Sequence, residues 1–63
     1  MNKFTVITKV FDTGKVEGQM REFIQGDVES FKEEELFDVY VDVFDSYKEA
    51  KEFLKEALAP LKF

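Results

Sequence analysis

Apolar and polar residues alternate along three stretches of this chain before the spacing changes to that of a helix. In KFTVITKVF, residues 3–11, Phe4, Val6, Thr8 and Val10 fall on one side, and Lys3, Thr5, Ile7, Lys9 and Phe11 on the other. A β-branched and aromatic run with period two predicts a strand. DTGK follows at 12–15, where Gly14 supplies the positive φ that a tight hairpin requires. The alternation resumes with Val16, Gly18, Met20 and Ile24 on one side, and Glu17, Gln19, Arg21 and Phe23 opposite. A glycine inside a strand points to a bulge or to a close approach of another element.

Residues 25–35, QGDVESFKEEE, form a polar connection. Asp27 or Ser30 could cap a single helical turn there, since Ser30 and Glu33 have capping-box spacing. A third strand is predicted over about 36–45, with Val39, Val41 and Val43 on one side, and Asp38, Tyr40, Asp42 and Phe44 on the other. Ser46 and Glu49 then form a second capping box, and Asp45 adds negative charge at the positive end of the helix dipole. Tyr47, Ala50, Leu54, Ala57, Leu58 and Leu61 recur at helical spacing, with Phe53 beside them. Pro60 ends the helix, because the residue before a proline disfavours α geometry.

The predicted architecture is a single α+β domain over residues 1–63. It comprises a three-stranded antiparallel sheet, built from a ββ hairpin, a loop or short helix and a third strand, with the C-terminal helix on one face. The covered face is expected to hold Phe4, Val6, Val10, Val16, Met20, Val39, Val41 and Val43. The other face then carries Ile7, Phe11, Phe23, Leu36, Tyr40 and Phe44 among Lys3, Lys9, Glu17, Arg21, Asp38 and Asp42. Six large apolar residues on one face of so small a sheet point to a contact surface. The candidate interface is therefore Ile7, Phe11, Phe23, Asp38, Tyr40, Asp42 and Phe44.

Composition narrows the chemistry. With 63 residues and no cysteine, the chain lies near the lower limit for folding without staples. Its 44% hydrophobic residues, eight Phe and two Tyr among them, supply a core and argue against disorder. Absence of histidine and cysteine excludes the usual structural zinc sites, an imidazole base and a thiol nucleophile. Three glycines build no phosphate-cradling loop, and Asp38 and Asp42 lie about 13 Å apart along a strand, too far to share a metal. No catalytic, cofactor or metal site is expected. Neither a signal peptide nor a membrane span is visible, which fits a cytoplasmic protein.

The net charge of −5 lies wholly in residues 33–63, whereas residues 1–32 balance. Direct nucleic-acid binding is not expected of such a chain, because it needs a basic footprint. Three readings remain for the acid-and-aromatic face. It is a solvated surface with Lys3 and Lys9 paired across strands to Asp38 and Asp42, a homodimer or other protein interface, or a mimic of nucleic acid directed at a basic host protein.

TKVFDTGKVEGQ near the start together with DVYVDVFDSYKEAKEFLKEAL near the end resembles small uncharacterised phage and prophage proteins of low-GC Gram-positive bacteria. That resemblance implies a mobile-element setting, in which small acidic chains bind and modulate host proteins. It carries no functional residue. The expectation is a non-enzymatic interaction module, self-associating through the sheet face left free by the helix, with an acidic inhibitor of a host enzyme as the alternative.

Overall fold

The computed structural model describes residues 2–59. Four strands and one helix follow one another: β1 (Phe4–Phe11), β2 (Val16–Glu22), β3 (Ser30–Glu33), β4 (Phe37–Phe44) and α1 (Tyr47–Leu58). They form an α+β fold with one open antiparallel sheet in the order β2-β1-β4-β3. Among the described residues no helix is long and apolar enough to cross a membrane. The predicted positions of Pro60 and Leu61 lie outside the described residues.

The sheet has one strand more than the alternation indicates. Ser30–Glu33 pairs with β4, Phe31 opposite Tyr40, instead of forming a capped helical turn. SFKE holds a single apolar residue and all four positions are exposed, so this edge strand carries no burial signal in the sequence. Pairing with β4 satisfies its backbone groups in place of a helix.

β1 and β2 join through Asp12–Lys15, with Gly14 at φ 94° and its N–H donating to the Phe11 carbonyl at 2.9 Å. β3 and β4 join through a second short turn, in which the Glu34 N–H donates to the Phe37 carbonyl at 2.8 Å. The two hairpins meet along β1 and β4. Residues 23–29 carry the chain from the β2 edge to the β3 edge.

In an antiparallel sheet directly opposed residues share a face. Phe4 stands opposite Glu22 and Phe44, Val6 opposite Met20 and Asp42, Thr8 opposite Gly18 and Tyr40, and Val10 opposite Val16 and Asp38. This is the face that α1 covers, with the Phe4 and Tyr47 rings meeting edge to face at 5.5 Å and the Phe44 and Phe53 rings at 5.1 Å. Val6 and Ala50 are fully buried between the two layers. Ala50 carries only a methyl group, which lets the helix approach the sheet closely. The Ser46 hydroxyl accepts the Glu49 N–H at 3.2 Å, so the predicted cap starts the helix.

The predicted sides of β1 and β2 hold, but β4 is turned over relative to them. Val39, Val41 and Val43 stand opposite Lys9, Ile7 and Thr5, on the face away from the helix. The cause is register: a shift of one residue moves every side chain of a strand to the other face. Both sides of β4 carry large apolar residues, so its own pattern leaves that choice open.

Candidate interaction surfaces

The register splits the predicted interface. Ile7 and Phe11 lie half-buried on the helix-free face, and alternation along β2 places Phe23 on the same side. Asp38, Tyr40, Asp42 and Phe44 lie on the opposite, helix-side face. Phe44 is half-buried and packs against Phe53 of α1. Leu36 sits in the β3–β4 turn and is exposed. Lys3 and Lys9 do not pair with Asp38 and Asp42, since the two sets point to opposite sides of the sheet.

Two surfaces result. On the helix-free face, Ile7 and Val41 stand side by side at the centre, Val39 lies between Lys9 and Lys32, and the Phe11 and Phe37 rings meet at 5.2 Å. Lys9 Nζ lies 5.4 Å from the centre of the Phe37 ring, and Lys3 Nζ lies 5.7 Å from that of Phe23. Both lysines thus use cation–π contacts, worth about 0.5–1 kcal/mol each at exposed sites. Val39, Val41 and Val43 are expected in the helix-covered core and Phe37 is assigned to neither face; the register places all four on the helix-free side.

One end of this face is closed. Asp27, in the connection from β2 to β3, accepts hydrogen bonds from the Thr5 hydroxyl at 2.8 Å, from both terminal nitrogens of Arg21 at 2.7 and 2.9 Å, and from the Ile24 N–H at 2.9 Å. The connection thereby folds over Thr5, which is fully buried on an otherwise open face. Arg21 hydrogen bonding first, then the Ile24 amide, holds the Asp27 carboxyl well below the usual carboxylate range. Arg21 is shifted upward by the same bond.

The second surface is a shelf on the helix side, where β3 and β4 extend beyond the edge of α1. Phe31 and Tyr40, 55% and 38% exposed, pack their rings at 5.0 Å, flanked along β4 by Asp38 and Asp42 and along β3 by Glu33. Burial and the neighbouring negative charge of Glu29 push the Asp42 carboxyl upward.

An open depression of about 320 Å³ beside β1 and β2 is lined by Ile7, Lys9, Glu17, Gly18 and Gln19. No group of three potential ligands is placed to hold a metal among the described residues. Comparison with protein-family models, curated proteins and solved structures finds no match to this chain.

Proposed function

We propose that this protein is a non-enzymatic association module that docks through the helix-free face of its sheet, self-association included. One observation carries the reading. Ile7, Phe11, Phe37, Val39 and Val41 form a half-buried apolar band with no second layer over it among the described residues. Amphipathic elements reach stability by burying that side against another layer. The helix supplies one layer, and Val6 and Ala50 are the apolar residues fully buried beneath it. The accessible surface is 5179 Å². A compact monomer of 7.4 kDa exposes about 4200 Å². The difference is of the order of one partner's share, about 800 Å², of a standard interface.

The resemblance to phage and prophage proteins supports a host protein as a further partner. An acidic inhibitor directed at a basic host surface is the second reading. The Phe31–Tyr40 shelf favours it, because exposed rings flanked by carboxylates suit a basic, nucleic-acid-binding surface.

Sedimentation equilibrium of wild type and Ile7→Lys tests the primary reading. Ile7 stands at the centre of the band but outside the helix–sheet core, so the lysine is expected to lower association and leave the helix signal intact. A variant that associates as wild type does, with the same fold, would sink the assignment of this face.

A further inference from the structure

The two faces of the sheet carry opposite charge. On the helix side the strands present Glu22, Glu33, Asp38 and Asp42 and no cation. On the helix-free side they present Lys9, Arg21 and Lys32 against Glu17 alone, and Lys3 adjoins them. Arg21 is held by Asp27 and Lys32 reaches Glu34 at 3.1 Å, whereas Lys3 and Lys9 rest on phenylalanine rings. Among the described residues no cation lies within ion-pair distance of Asp38 or Asp42.

A two-fold dimer joining helix-free face to helix-free face would bring lysine rims together, and like charges at a contact oppose association. The complement of that face is present on the same chain. Lys9 and Lys32 flank Val39 from the neighbouring strands, about 10 Å apart, and Asp38 and Asp42 flank Tyr40 about 13 Å apart along β4. Lysine stems are flexible enough to span the difference. Within and beside the charges each surface offers apolar area: Val39 with Ile7 and Val41 next to it on one, the Tyr40 ring with Phe31 against it on the other.

We propose that copies of this chain associate head to tail, the lysine-rimmed helix-free face of one seating on the Phe31–Tyr40 shelf of the next with Lys9 and Lys32 toward Asp38 and Asp42. This rests on the association reading above and names the surfaces that meet. An approaching lysine also relieves the crowding of Asp42 by Glu29. The contact is heterologous, so it continues from copy to copy unless the rotation closes a ring. A shelf two strands wide and one strand long has a footprint on the order of 300 Å². That is below the roughly 800 Å² per partner of a standard interface, so the association is weak and sensitive to salt.

The test is sedimentation of the whole chain from roughly 10 µM to 1 mM, at low and high salt, for wild type, Lys9→Glu, Asp42→Lys and an equimolar mixture of the two variants. Wild type is expected to grow past dimer mass with concentration and to fall back at high salt. Each variant alone is expected to lose about tenfold or more in association. The mixture is expected to form a one-to-one pair and stop there, because Lys9→Glu retains an intact shelf and Asp42→Lys an intact lysine face. That pairing also reports that both variants are folded, and Asp42→Asn replaces Asp42→Lys if the latter loses its helix signal.

An Asp42→Lys protein with wild-type association overturns the proposal in favour of same-face pairing and leaves the association reading intact. A wild type that stays monomeric at 1 mM and low salt overturns it too, and leaves a foreign partner for the helix-free face. Failure of the association reading itself shows separately, as a wild type that associates and an Ile7→Lys protein that associates to the same extent.

Discussion

Gly18 lies directly beneath Leu54: a Cβ on this glycine would stand 2.6 Å from Leu54 Cδ1, and 3.6 Å from Leu58 Cδ2. The missing side chain is what allows the C-terminal half of α1 to settle on β2. Gly18→Ala meets only the tip of a flexible leucine, which can turn aside, while alanine recovers the roughly 0.5–1 kcal/mol that glycine costs inside a strand. Its stability should stay within about 1 kcal/mol of wild type. Gly18→Val adds branches that a single rotamer change does not clear, and overpacking of this kind costs about 1–3 kcal/mol. Urea unfolding of the pair checks the contact. Equal midpoints for Ala and Val would mean that the helix does not rest there.

Next to Gly18 across the β1–β2 ladder stands Thr8, only 5% exposed, whose hydroxyl has no hydrogen-bond partner among the described residues. A buried polar atom without a partner costs about 1–3 kcal/mol, and replacing it by an apolar group of the same shape recovers part of that. Thr8→Val preserves shape and β-branching. It should raise stability by about 1 kcal/mol, read as a higher urea midpoint at unchanged slope. A drop in the midpoint would show that the hydroxyl is satisfied in solution.

The strand at 3–11, the hairpin, the cap at Ser46 and the close approach at Gly18 were legible because each is a local signal, confined to a few neighbouring residues. The orientation of β4 was not. Its sides, Val39–Val41–Val43 and Tyr40–Phe44, are both apolar enough to face a core, and the choice is made by pairing with β1, some thirty residues away in sequence. One wrong side was enough to mix two surfaces into one. The acids of β4 were placed beside the lysines of β1, when the sheet separates them. β3 escaped notice for a different reason: an exposed edge strand needs no apolar alternation, and its backbone pairing leaves no mark on SFKE. Residues 23–29 likewise gave no sign that Asp27 would reach back to Thr5, a contact that depends on where the connection crosses the sheet.

That clasp should respond to acid in a defined direction. The Asp27 carboxyl is held below the ordinary range by Arg21, the Ile24 amide and Thr5, so the folded state binds its proton less readily than the unfolded chain. Its contribution to stability is complete above the unfolded value of about 4 and is lost as pH falls towards the lower folded value. Asp27→Asn removes the charge at every pH. The variant should be less stable than wild type at pH 7, with the gap narrowing once pH drops below about 4. Thermal unfolding at both ends of that range measures it, and a gap independent of pH would sink the ionic account of the clasp.

Asp42 should behave in the opposite sense. Burial and the charge of Glu29 push its carboxyl above the ordinary range, so here the folded state binds the proton more readily than the unfolded chain. The ionised group opposes folding at neutral pH, and the penalty fades as pH falls through the raised folded value. Asp42→Asn resembles the protonated form and, among the described residues, has no side-chain hydrogen bond or ion pair to lose, so it should be more stable than wild type at pH 7. The two proteins should converge once pH is below about 4, where the wild-type carboxyl is protonated in both states. Measured under dilute conditions, this isolates the monomer. The same substitution at high concentration and low salt removes a charge from the shelf, so it should weaken association while strengthening the fold. A variant stabilised at pH 7 yet undiminished in association would separate the two roles, leaving Asp42 a strained acid of the sheet with no part in seating the next copy.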